Sequence, residues 1–163
     1  MTRQRQEHGI APVYDEDSEI LILGSFPSVA SRAEGFFYGH PRNRFWRVLS
    51  AVFGEGVPST VEEKKAFLLR NKVALFDVLA ECEIEGSSDA SIKGALPNDL
   101  SPLLSRSKIG RVFVNGKTAE KLYQKYLLPK TGMPATVLPS TSPANAAFGE
   151  DRLIEAWQEI KRR

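Results

Sequence analysis

Five side chains able to position water, a polar ligand or a phosphate crowd into one short stretch, FFYGHPRNRFW (36–46): Tyr38, His40, Arg42, Asn43 and Arg44. Aromatic residues beside basic ones suit stacking on a nucleobase while phosphates are gripped. Tyr38, between Phe37 and Gly39 and close to Pro41, is the stacking candidate, whereas Phe45 and Trp46 read as core. A second stretch, PSTSPANA (139–146), offers the hydroxyls of Ser140, Thr141 and Ser142, followed by Pro143, Ala144 and Asn145. Hydroxyls and free backbone N–H groups bind phosphate without needing net charge. The same run would equally serve as the cap region of a following helix. A third stretch, GSFPS (24–28), opens on Gly24, whose missing side chain lets a ligand approach the backbone. Its middle residue, Phe26, brings no polar group, and no phosphate-cradling GxxxxGK[ST] or GxGxxG accompanies it.

These stretches need elements to hold them. Apolar runs of strand length at 19–23, 72–79, 111–116 and 135–140 alternate with helical patterns at 43–53, 60–71, 98–107, 117–127 and 149–163. Thr60 with Glu63 three residues later forms a capping-box signature. Strands separated by helices imply right-handed crossovers and a parallel sheet. Apolar runs without alternation imply that both faces are covered. The expectation is a three-layer α/β/α sandwich around a four-stranded parallel sheet. Residues 1–10 read as a loose arm and 11–163 as one domain. In such a sheet ligands sit at the carboxyl ends of the strands. GSFPS, DVLAE (77–81), NGKTA (115–119) and PSTSPANA occupy those ends.

The composition narrows the rest. The chain has 163 residues with a formal net charge of +2, compatible with nucleic acid without requiring it. Cys82 is the only cysteine, which removes an internal disulfide and a cysteine zinc cluster. His8 and His40 stand in different contexts, so no metal is expected, and no cofactor either. The N-terminus has no apolar signal region, and no run is long enough to span a membrane. A cytoplasmic setting follows as the expectation. Lys161, Arg162 and Arg163 read as a solvated helix end.

Taken together, GSFPS, FYGHPRNRFW, VFVNGKTA and LPSTSPANA resemble the uracil-DNA glycosylase superfamily over roughly residues 19 to 160. The HPxNRFW segment is similar to the mismatch-specific branch, and the whole is nearest the hypoxanthine-DNA glycosylase branch. The resemblance implies a monofunctional enzyme of base excision repair, acting as a monomer on DNA that carries a deaminated base. Hypoxanthine, uracil and xanthine are left unranked. The family's first motif, G-x-[D/N]-P, has its water-handling residue where this chain has Phe26, and its second, [H/N]-P-S, falls with its first residue on Leu138. Both usual catalytic residues are therefore missing, and the resemblance transfers the water-positioning role to Asn43. It also implies that Gly24, Ser25, Phe26 and Tyr38 meet the base or sugar. Asp77 reads the base or caps the following turn, and Asn115 is a second candidate base reader. DNA is assigned to Ser28, His40, Arg42, Arg44, Ser140, Thr141 and Ser142. Pro143, Ala144 and Asn145 would wedge into the vacated duplex. Lys117 reads as solvated surface, so no lyase step is expected. A silent damage binder and a small-molecule nucleoside hydrolase remain as alternatives.

Overall fold

The computed structural model describes residues 4–162. Its centre is the expected parallel sheet, in the order β3-β2-β6-β7, built from β2 (Ile20–Gly24), β3 (Val73–Asp77), β6 (Arg111–Asn115) and β7 (Ala135–Leu138). β2 pairs in parallel with both β3 and β6, and β6 pairs with β7. Every residue of β2 and β3 is buried, as a sheet covered on both faces requires.

The flanking helices are α1 (Val29–Glu34), α2 (Phe45–Phe53), α3 (Val61–Arg70), α4 (Ser101–Ser105), α5 (Lys117–Tyr126), α6 (Leu128–Thr131) and α7 (Glu150–Trp157). α2 buries Phe45, Trp46, Val48, Leu49 and Val52 and packs against α7. α3 carries the capping box foreseen at Thr60 and Glu63. The last helix yields to a 3₁₀ turn at Gln158–Lys161, and Arg163 lies outside the described residues.

One whole sheet is an addition to the sequence reading. The apolar run 72–79 is not a single strand: it breaks at Val78 into β3 and then β4 (Leu79–Ile84). The Val78 and Leu79 N–H groups donate to the Gly24 and Ser25 carbonyls, at 2.8 and 3.1 Å, before the chain turns away. β4 then forms the middle of an antiparallel sheet with β1 (Gln4–Glu7) and β5 (Lys93–Pro97), in the order β1-β4-β5. The loose-arm reading is thereby corrected for residues 4–10, while residues 1–3 fall outside the description. The physical reason is backbone pairing: Gln4–Glu7 match Ile84–Glu81 residue for residue, and the His8 N–H donates to the Ala80 carbonyl at 2.7 Å. Beyond that strand, His8 and Ile10 are buried. No helix among the described residues is long and apolar enough to cross a membrane.

Candidate active site

A cavity of about 340 Å³ opens at the carboxyl ends of the parallel strands. Of the residues singled out by sequence, Gly24, Ser25, Phe26, Ser28, Tyr38, His40, Asn43, Asp77, Asn115, Ser140, Thr141, Ser142, Pro143 and Ala144 line it. Arg42, Arg44 and Asn145 do not. Lys117 is exposed and also lies outside the lining.

A directed chain of hydrogen bonds crosses one wall. The Thr141 N–H donates to Asn115 Oδ1 at 3.1 Å, which fixes the orientation of that amide. Asn115 Nδ2 then donates to Tyr38 Oη at 3.2 Å and to Thr141 Oγ1 at 3.0 Å. The Thr141 hydroxyl in turn donates to Asn43 Oδ1 at 2.8 Å, and the Phe45 N–H at the start of α2 donates to the same oxygen at 3.0 Å. Asn43 is therefore held with both carbonyl lone pairs engaged. Its Nδ2 makes no hydrogen bond with the described residues, and none of their buried side-chain nitrogens or oxygens lacks a partner, so the NH₂ group reaches the open cavity. The carboxamide acts here as a donor.

Two expectations change as a result. Thr141 is fully buried and its hydroxyl and N–H are spent within this chain, so it braces the cleft and does not hold a phosphate. Asn115 likewise uses its amide on Thr141 and Tyr38, so it positions Tyr38 and has no free edge for a base.

The aromatic candidate is partly covered. Tyr38 stacks on Phe45 with ring centroids 4.0 Å apart and planes 12° apart, so one face of the ring is already occupied. Its φ of 53° lies in the left-handed region, which costs a non-glycine residue about 1 kcal/mol or more. Burial, with the Asp77 carboxylate adding to it, pushes the phenol well above its ordinary range, so Tyr38 keeps its proton. Gly24 is required by proximity: a Cβ there would stand 2.5 Å from Asp77 Oδ1 and 2.9 Å from Tyr38 Oη.

Asp77 is buried at the end of β3, and its Oδ2 meets His8 Nε2 at 2.9 Å. The turn-cap alternative is not its role, since no backbone N–H donates to its side chain; the Asn98 amide instead reaches its backbone carbonyl at 2.9 Å. His8 sits among Phe26, Phe37 and Phe76, with ring centroids 6.1, 5.8 and 5.1 Å away. Phe26, the aromatic at the motif position, is thus one wall of a cage around an imidazole, and Arg32 lies over its ring at 5.4 Å.

The arginines divide. Arg44 turns inward and its guanidinium donates to the carbonyls of Ser142 at 2.8 Å, Asn145 at 3.1 Å and Phe148, while its N–H donates to the Thr141 carbonyl at 3.1 Å. A fork of donors on a fixed plane suits such a ring of carbonyls. Arg44 therefore clamps the 141–148 loop, and the reading of it as a phosphate contact is corrected. Arg42 is exposed and its guanidinium is left to solvent. His40 Nδ1 accepts the Arg42 N–H at 3.1 Å, and Ser28 caps α1 by accepting the Ser31 N–H at 3.1 Å. Asn145 braces its own loop by donating to the Ser140 carbonyl at 3.0 Å. Pro143 and Ala144 stand exposed at the loop tip.

Sequence reasoning missed two residues. His8 lay in the stretch taken for an arm, and Asp89 sits in the loop between β4 and β5. The Ser25 hydroxyl donates to Asp89 Oδ1 at 2.9 Å, so that hydroxyl is engaged before any ligand arrives. Asp89 lies on an exposed turn, yet its carboxylate points into the cavity wall. Burial raises its pKa, Ser25 opposes the shift, and Asp77 adds to it. A cavity-lining carboxylate in a Ser-Ser-Asp turn was the only signal available.

A family model described as the uracil DNA glycosylase superfamily matches residues 11–161. The chain belongs to that superfamily. Membership makes it a hydrolase of N-glycosidic bonds with DNA as its substrate. It is 38% identical over 158 residues to a hypoxanthine DNA glycosylase of Methanosarcina acetivorans, covering 96% of this chain and 98% of that one. It is 36% identical over 160 residues to a hypoxanthine DNA glycosylase of Methanosarcina barkeri, covering 97% and 99%. A solution NMR structure of a candidate uracil DNA glycosylase from Methanosarcina acetivorans superposes with a TM-score of 0.79 at 34% identity, covering 98% of this chain and all of the other.

Proposed function

We propose that the protein flips a deaminated nucleotide, hypoxanthine foremost, out of duplex DNA and hydrolyses its N-glycosidic bond. The observation that carries this reading is the state of Asn43: locked by Thr141 and Phe45 through its oxygen, with its NH₂ open to the cavity. Extruding a nucleotide costs roughly a few kcal/mol, less for a weakly paired deaminated base. The bond then breaks with oxocarbenium character, so a strong base is not needed to activate water. The Asn43 NH₂ holds the water oxygen by donation and leaves its remaining lone pair for the sugar carbon. Asp77 and Tyr38 meet the base, Ser140 and Ser142 face the flanking backbone, and the exposed Pro143–Ala144 tip enters the gap. Hypoxanthine leads because both named relatives carry that substrate in their names. The chain acts as a monomer in the cytoplasm.

The test is a labelled duplex with one hypoxanthine, uracil or xanthine, treated with alkali after incubation. Strand cleavage at the lesion is expected, with Asn43→Ala lowering turnover about a hundredfold while lesion binding persists. Asn43→Asp keeps the acceptor that Phe45 and Thr141 need but loses the donor, and is expected to be equally poor. Full turnover in Asn43→Asp would show that donation is not the role.

A further inference from the structure

His8 stands outside the cavity lining, with its imidazole against Asp77, which belongs to that lining. The Ile10 N–H donates to His8 Nδ1 at 3.1 Å, so Nδ1 carries no proton. The proton therefore resides on Nε2 and is donated to Asp77 Oδ2 at 2.9 Å. This bond fixes which carboxylate oxygen is spent. Asp77 Oδ1 has no partner among the described residues, and none of their buried side-chain oxygens is left unpaired, so Oδ1 is the atom that meets the cavity. Beside it stands Tyr38 Oη: both atoms lie within 2.9 Å of the point a Gly24 Cβ would occupy. Asn115 donates to Tyr38 Oη, so the phenolic proton is the part still to be placed. An acceptor and a donor thus stand near one another on the cavity lining.

We infer that His8 is a positioning residue that locks Asp77 Oδ1 as an acceptor beside the Tyr38 hydroxyl, and that this pair reads an imino N–H next to a carbonyl on the flipped base. Hypoxanthine, xanthine and uracil all present that edge. Adenine and cytosine present the reverse: a ring nitrogen lone pair would face the Asp77 carboxylate, and an amino group would face the Tyr38 hydroxyl proton. The pair therefore selects hypoxanthine over adenine and uracil over cytosine by chemistry, since each couple is nearly equal in size; guanine shares the hypoxanthine edge and is not rejected by it. Leaving buried polar groups unpaired is the stronger means of rejecting an analogue. The cage of Phe26, Phe37 and Phe76 keeps the imidazole in place, and strand β1 delivers it.

This inference rests on the glycosylase reading above, and the test separates the two. Release of hypoxanthine is compared with release of 1-deazahypoxanthine, where C–H replaces the imino N–H, from otherwise identical duplexes. The wild type is expected to prefer hypoxanthine about tenfold to a hundredfold, the range for a hydrogen bond to a charged acceptor. His8→Phe, which fits an aromatic cage, lets the carboxylate turn and is expected to reduce that preference severalfold. Its affinity for a duplex with a tetrahydrofuran abasic analogue should stay unchanged. In Asp77→Asn, His8 Nε2–H still claims the oxygen, so the amide presents NH₂ to the base and the preference disappears. Adding His8→Phe to Asp77→Asn frees that amide to rotate, and part of the preference returns, which a merely structural role would not produce. Should His8→Phe fail to fold, Asp77→Asn with His8 intact carries the test. An undiminished preference in either single variant overturns the inference. A wild type that excises both bases equally overturns the edge reading alone, and one that excises neither overturns the glycosylase reading beneath it.

Discussion

The two sheets serve the cleft in different ways. The parallel sheet delivers four strand tips to one rim and holds them with the Tyr38–Asn115–Thr141–Asn43 chain and the Arg44 clamp, all bonds between ordinary neutral groups or to backbone. The antiparallel sheet adds two ionisable groups from outside that frame: His8 follows β1, and Asp89 stands in the loop between β4 and β5. Each meets a residue of the parallel sheet's rim, His8 at Asp77 on the end of β3 and Asp89 at Ser25 after β2. One sheet thus builds the cleft and the other braces two of its polar groups from behind.

Removing Arg44 should break this division most severely. Arg44→Ala strips the 141–148 loop of its clamp, and is expected to lower activity about a hundredfold and stability by about 2–3 kcal/mol. Arg44→Lys should recover little, because one ammonium cannot span the same carbonyls. Equal activity in Arg44→Ala and parent, measured by base release, would mean the loop needs no clamp. Gly24→Ala attacks the junction: the added methyl would sit 2.5 Å from Asp77 Oδ1. Activity should fall about tenfold while chemical denaturation shows a loss of about 1–3 kcal/mol.

The smallest effect concerns Cys82, buried within β4, whose thiol burial pushes up to about 11 against the opposing pull of Arg32 and Arg5. The folded thiol holds its proton more tightly than the unfolded one, so its stabilising share is complete below the ordinary thiol range of about 8.5. It fades as pH rises through about 11. A thiol reagent at pH 8 should label the native chain slowly and the unfolded chain at once. Rapid native labelling would show the antiparallel sheet opening independently of the parallel one.

What the sequence revealed follows the same line. The parallel strands are apolar runs with no alternation, the capping box of α3 is a four-residue signature, and the rim loops follow from strand order; each is a local pattern. β1 is Gln-Arg-Gln-Glu, an edge strand held by backbone pairing, so no hydrophobic period marks it. Nothing near Val78 signals that an apolar run changes partner. Arg44 and Arg42 look alike in sequence, yet one faces a ring of carbonyls made by a loop almost a hundred residues later. The position of Asn43 was legible from family likeness. The direction of its amide was not, because Thr141 and the start of α2 decide it.

The outer strand of the parallel sheet carries one more implication. β7 spans only Ala135–Leu138, exposes Val137, and is bracketed by Pro134 and Pro139. A stray strand seeking to extend the ladder would find few free rungs and an imide at each end that cannot donate. The opposite margin is plugged by the Val13–Leu75 bridge. Neither border of the parallel sheet therefore offers a long open ladder to a second strand, and neither needs a row of charges to close it.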